Sequence, residues 1–130
     1  MRGGRSLAEA LECDVTEWSE RTGIRVERWA LPATDVPSRI AQAVLTAIRE
    51  ALANVEAHSG AEVVSIAVTI GGSGLRMTVS DHGAGFDPGR AGGRGIARMR
   101  AAFTDVGGNL SVNSVPGEGT TVTGAVPKAR

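Results

Sequence analysis

At 130 residues, with 42% hydrophobic and 22% charged side chains, the chain has the length and balance of one globular domain rather than of a disordered chain. Fourteen basic and 14 acidic residues give a formal net charge of zero, which leaves no basic footprint for nucleic acid or anionic lipid. Lys128 is the only lysine and no G-x-x-x-x-G-K-[ST] string occurs, so a P-loop lysine is excluded. Any phosphate would be held by backbone N–H groups, a divalent ion and arginine. Cys13 is the single cysteine and has no metal-ligand companions, which fits a reducing cytoplasm. No apolar run approaches the length of a membrane span, and Met1–Arg5 leads into no signal-peptide core, so a cytoplasmic location is expected.

Residues 6 to 22 predict a helix, with Leu7, Ala10, Leu11, Val15 and Trp18 at three- and four-residue steps and Gly23 as its stop. Ile24 to Trp29 alternates apolar and charged residues, the pattern of a half-buried strand. Pro32 and Pro37 bracket a loop. A long helix is expected from Val36 to Ala57, with Val36, Ile40, Val44, Ile48, Leu52 and Val55 as its core stripe. Val63 to Ile70 and Leu75 to Ser80 read as a hairpin around Gly71-Gly72-Ser73-Gly74. Residues 81 to 95 are glycine-rich and predict a loop with little structure of its own. A short helix over Ile96 to Phe103, a break at Gly107-Gly108, and strands over Asn109 to Val115 and Thr120 to Val126 complete the chain. Tight turns between strands imply mostly antiparallel or mixed pairing with the helices collected on one face, an α+β two-layer sandwich.

The long helix places Glu50, Asn54 and His58 four residues apart, roughly on one face, opposite the stripe carrying Ile48 and Leu52. Ala43, Ala47 and Ala51 flank that polar line and would let a ligand approach the helix. A solvated helix face would carry the same residues. The second signal is Asp81-His82-Gly83-Ala84-Gly85-Phe86 at the end of an apolar strand. An ionised Asp is an acceptor only and suits an exocyclic amine such as that of adenine. Gly83 and Gly85 open backbone torsions that let a ring pack on the main chain. A glycine turn with Asp81 as its local hydrogen-bonding residue is the alternative. Gly89-Arg90-Ala91-Gly92-Gly93-Arg94-Gly95 runs into the helix at Ile96, and free N–H groups there, with Arg90 and Arg94, would suit an anion. That segment could equally be a lid or a surface loop. Mg²⁺ prefers oxygen and is usually shared between one or two protein oxygens and substrate phosphates, which suits the Asn54 amide. Glu50 could take a proton from a nucleophile or hold a metal-bound water.

Taken together these segments resemble the ATP-binding catalytic domain of sensor histidine kinases, in the superfamily that includes gyrase B, Hsp90 and MutL. Arg49-Glu50-Ala51-Leu52-Ala53-Asn54-Val55 with His58-Ser59-Gly60-Ala61 resembles the N box, and Asp81 to Phe86 the G1 box. Gly93-Arg94-Gly95-Ile96 followed by Met99 resembles the G2 segment. Gly107-Gly108-Asn109-Leu110 and Pro116-Gly117-Glu118-Gly119-Thr120-Thr121-Val122 are similar to the closing strands. Glu20 to Val26 is similar to the opening of this domain in kinases that serve LuxR-type response regulators. The match covers residues 14 to 127, so residues 1–13 are taken as a linker and helix start and 14–130 as the ATP-binding domain.

The resemblance implies a Bergerat fold with ATP and Mg²⁺ as cofactors. It implies that Asn54 ligates Mg²⁺, that Glu50 is the catalytic polar residue, and that Asp81 holds the adenine amine. Gly83 and Gly85 would shape the adenine pocket. Gly93, Arg94, Gly95 and Ile96 would form the phosphate lid, His58 would close the N box, and Thr120 would support the adenine-side water network. The chain departs from the pattern at Ala57, where Lys or Arg is common, at His82, which replaces Asn, at Arg98, where a second glycine is usual, and at Ala101-Ala102. Neither His58 nor His82 stands where a phosphoacceptor would. The implied partner is therefore a separate dimerisation domain bearing the histidine, and through it a LuxR-type response regulator, the isolated domain being a monomer. An anti-sigma-factor serine kinase or a degenerate nucleotide sensor are the alternatives within the superfamily.

Overall fold

The computed structural model describes residues 6–32, 34–59, 62–82, 93–115, 117 and 119–127. The first helix, α1 (Leu7–Thr22), begins at a reciprocal cap: the Ser6 hydroxyl accepts from the Glu9 N–H at 3.2 Å and the Ser6 N–H donates to the Glu9 carboxylate at 3.0 Å. It ends at Gly23 in the left-handed region, whose N–H returns to the Ser19 carbonyl. The helix runs through residue 14 without a break, and Leu7, Leu11 and Val15 are fully buried. Strand β1 (Arg25–Ala30) follows, then α2 (Ser38–Asn54), which starts after Pro37 because a proline is tolerated only ahead of the hydrogen-bonded turns. A single π-helical turn, Val55–Ser59, continues α2.

The remaining elements are β2 (Val63–Gly71), β3 (Gly74–Asp81), α3 (Gly93–Asp105), β4 (Asn109–Val115) and β5 (Gly119–Pro127). The five strands form one mixed sheet in the order β1-β2-β3-β5-β4, parallel between β1 and β2 and antiparallel elsewhere. Alternation decides which side is covered. Val64, Ile66 and Val68 of β2, Leu75, Met77 and Val79 of β3, and Val122 and Val126 of β5 are buried against the helices, while their neighbours in sequence are more exposed. The architecture is thus the α+β two-layer sandwich expected, with helices on one face. Among the described residues, no helix is long and apolar enough to cross a membrane.

Two expectations from sequence are corrected by packing. The helix expected from Ile96 begins at Gly93, so the glycine-rich stretch is helical over its last three residues. Glycine costs about 1 kcal/mol against alanine inside a helix, and α3 forms there because it is laid along α2. The alanines beside the polar line of α2 are themselves buried, Ala43 at 5%, Ala47 at 0% and Ala51 at 2% exposure. Ala43 shares a groove with Ala102 of α3 and with Val106 just after it, so the small side chains there admit a helix. The fully buried Phe103 docks α3 on the sheet at Gly124, where a Cβ would stand 2.5 Å from its ring. A Schellman cap at Gly107-Gly108, with Gly108 N–H to the Phe103 carbonyl at 2.8 Å, ends α3. Arg39 of α2 adds a hydrogen bond to the Asp105 carbonyl at 2.8 Å.

Candidate functional site

Asp81 is the last residue of β3 and keeps the inward parity of Leu75, Met77 and Val79, so its carboxylate faces the helix layer at 4% exposure. Register places it opposite Val64 on one side and Thr120 on the other. Thr120 is 7% exposed, and its hydroxyl lies 2.7 Å from that of Ser114 across the β4–β5 ladder. Two buried polar side chains, Asp81 and Thr120, therefore stand side by side at one end of an apolar sheet face. Polar groups are placed there only where they find partners.

Gly119 brings these strands together. Its φ of +98° lies in the region that favours glycine, and a Cβ there would collide with the Asp81 carbonyl oxygen and stand 2.9 Å from the His82 Cα. The turn before Thr120 thereby presses β5 onto the end of β3. A cavity opens beside Asp81, and its described lining comes from β3, β4, β5 and His82, with none from α2.

On the other layer, Glu50 and Asn54 project from the last two turns of α2 toward the first turn of α3. A Cβ at Gly95 would stand 3.0 Å from Glu50 Oε2, 3.5 Å from Asn54 Oδ1 and 3.6 Å from Asn54 Nδ2. A side chain at residue 95 would therefore meet Asn54 in ordinary contact but require Glu50 to give by a few tenths of an ångström. Arg98, one turn further, closes on the same acid: its Nε donates to Glu50 Oε1 at 2.7 Å and its Nη2 to Oε2 at 3.2 Å. Hydrogen bonding and charge from Glu50 raise the Arg98 guanidinium above its ordinary value.

Of the residues singled out from sequence, Asp81 and Thr120 are brought together, and so are Glu50, Asn54 and Gly95. Ile96 is buried at 5% in the core beside them. Gly93 and Arg94 open α3, and His58 lies on the π-helical turn after α2. Gly83, Gly85 and Arg90 lie outside the described residues. Sequence reasoning missed Ser114 and Gly124, which carry no local signal and acquire their neighbours only through strand register. It noted Arg98 as a departure without finding its partner.

For Mg²⁺ the donor set fits. An amide oxygen and a carboxylate one turn apart are hard ligands of the number that such an ion takes from protein when it shares its shell with phosphates. Among the described residues no group of three or more His, Cys, Asp or Glu could form an all-protein cage.

The two-layer sandwich thus carries a buried acid and threonine at the sheet end, and an acid and amide on a helix of the facing layer. The family described as Histidine kinase-like ATPase domain matches residues 8–124, and the chain belongs to that family. The sensor histidine kinase LiaS of Bacillus subtilis is 32% identical over 126 residues, covering 95% of this chain and 35% of LiaS. The sensor histidine kinase MctS of Rhizobium johnstonii is 37% identical over 130 residues, covering 95% of this chain and 28% of MctS. The nitrate/nitrite sensor protein NarX of Escherichia coli is 33% identical over 119 residues, covering 89% of this chain and 20% of NarX. The chain therefore spans about a third or less of these relatives. Among solved structures, the histidine kinase domain of the blue-light activated kinase EL346 of Erythrobacter litoralis superposes with a TM-score of 0.81 at 25% identity, over 94% of this chain and 61% of that one. The ATP-binding domain of PrrB from Mycobacterium tuberculosis shares the fold, with a TM-score of 0.67 at 20% identity over 95% of this chain and 93% of that one.

Proposed function

We propose that this chain binds Mg-ATP and transfers the γ-phosphoryl group to a histidine on a separate dimerisation domain, as the catalytic part of a two-component sensor kinase. The observation that carries the reading is the buried Asp81–Thr120 pair at the end of the sheet, on the side facing the helix that bears Glu50 and Asn54. Asp81, acceptor-only when ionised, takes the adenine amine, and the Thr120 hydroxyl, held by Ser114, supports the same edge of the base. Thr120 sits where β5 meets β3, so the base would lodge at the end of the sheet.

The phosphates then extend toward α3, whose opening N–H groups and aligned peptide dipoles favour negative charge. Arg94 and Arg100 add basic charge on the same element. Asn54 is the residue that would hold Mg²⁺, with Glu50 one turn earlier able to hold a metal-bound water, and the ion neutralises charge on the triphosphate when bound. Transfer itself asks little covalent chemistry of the protein. The acceptor imidazole nitrogen forms the new N–P bond as the bond from phosphorus to the bridging oxygen breaks, and that electron pair leaves with ADP. The Glu50 carboxylate is the group on this chain that can accept the proton lost by the acceptor ring. The family likeness points to a LuxR-type response regulator downstream, and to Gly83, Gly85, Gly93 and His58 as further parts of the nucleotide site.

The test is nucleotide titration with and without Mg²⁺, followed by phosphotransfer to a dimerisation domain supplied in trans. Asp81→Ala is expected to abolish binding, and Asn54→Ala to remove chiefly its Mg²⁺-dependent component. Undiminished binding by both variants overturns the reading. Capture of a sigma factor in place of a dimerisation domain would move the chain to the serine-kinase regulators.

A further inference from the structure

Glu50 of the candidate site is held by α3. Its two oxygens meet the Arg98 fork at 2.7 Å and 3.2 Å, and a Cβ added at Gly95 would stand 3.0 Å from Oε2. Residues 95 and 98 are one turn apart and share a side of α3. One carboxylate is therefore held by a single residue of α3 and lies against Gly95 of the same helix, and that helix opens with the glycines that face the phosphates in the proposed reaction. A glutamate side chain turns about three bonds, and a two-point fork removes that freedom in a way a lysine point charge does not. Both partners keep contact with solvent, Arg98 at 58% and Glu50 at 22% side-chain exposure. Exposed pairs add little to folding, so the consequence of this one is geometric.

We propose that Arg98 is a positioning residue for Glu50, fixing the carboxylate against the first two turns of α3 so that the acid and the phosphate-facing glycines keep one register. The inference rests on the kinase reading of Glu50. It accounts for an arginine where the family pattern has glycine: the longer side chain reaches across to α2 and replaces flexibility in α3 with a tie.

The experiment uses the full chain and the variants Arg98→Ala, Arg98→Lys, Glu50→Gln and the double Arg98→Ala/Glu50→Gln, each checked for fold by circular dichroism. It measures Mg-ATP affinity by calorimetry, and loss of the γ-phosphoryl group at saturating Mg-ATP, to water or to a histidine-bearing helix pair in trans. Arg98→Ala is expected to slow that step about tenfold while the dissociation constant moves by less than about threefold, since the base and metal contacts remain (a tenfold change being about 1.4 kcal/mol). Arg98→Lys should restore only part of the rate, because charge returns without the fork. The double variant should be no slower than Glu50→Gln alone, because Arg98 acts through Glu50.

An Arg98→Ala rate equal to or above wild type overturns the proposal, as does a double variant slower than Glu50→Gln by the full Arg98→Ala factor. A wild-type chain that binds Mg-ATP without turnover also overturns it and leaves nucleotide binding standing. A wild-type chain that binds no Mg-ATP defeats the kinase reading itself.

Discussion

Replacing Gly95 with alanine sets two effects of opposite sign against each other. Gly95 lies in the first turn of the 13-residue helix α3, where alanine is favoured over glycine by up to about 1 kcal/mol. In a domain of this size that gain corresponds to a rise in melting temperature of about 3–5 °C. Against it stands the new methyl carbon, 3.0 Å from Glu50 Oε2 and about half an ångström further from both amide atoms of Asn54. The carboxylate must give by a few tenths of an ångström, and the Arg98 fork at 2.7 Å resists that motion. An off-rotamer side chain costs about 0.5–1.5 kcal/mol, so the two effects nearly cancel in stability. They do not cancel in function, because the displaced groups are the acid and the amide proposed for metal and phosphate.

The expected result for Gly95→Ala is a melting temperature within about 2 °C of wild type by calorimetry, with Mg-ATP affinity reduced about tenfold by titration, equivalent to about 1.4 kcal/mol. A variant that gains stability and keeps wild-type Mg-ATP affinity would refute the reasoning, since the close approach at residue 95 would then have no bearing on the ligand.

Asp81→Asn keeps the shape of a side chain that is 4% exposed and removes its charge. Hydrogen bonds to charged groups contribute about 1.5–3 kcal/mol, so titration should find ATP bound about 10- to 100-fold more weakly, with the fold retained. Thr120→Val deletes the hydroxyl 2.7 Å from Ser114 at nearly constant volume. It is expected to weaken ATP binding about fivefold and to lower stability by about 1 kcal/mol in urea unfolding. Phe103→Ala removes a fully buried ring from the contact between α3 and Gly124. A loss of about 3–5 kcal/mol is expected, and a loss under about 1 kcal/mol in the same assay would contradict its role in docking α3.

Much of the secondary structure was legible in the chain because it rests on local chemistry. Ser6 with Glu9 caps α1, Gly23 ends it, and Gly72-Ser73 turns β2 into β3, each through backbone geometry that a few neighbouring residues decide. The candidate site was legible in its parts for the same reason. Asp81 ends an apolar alternation, and Glu50 and Asn54 are spaced by one helical turn. The start of α3 was not legible. Gly93 and Gly95 argue locally for a loop, and only the company of α2 makes them helical.

The chain's own pattern thus determined which residues are inward, where strands and helices lie, and which acids and amides stand at their ends, since period and turn chemistry are properties of short segments. Tertiary structure decided what those groups touch. It inserted β5 between β3 and β4, which sets Thr120 beside both Asp81 and Ser114. It also laid α3 on the alanines of α2, which brings Arg98 to Glu50 across 48 residues of sequence. Such contacts depend on strand order and helix packing, which answer to the burial of the whole core, and no local stretch of residues encodes that.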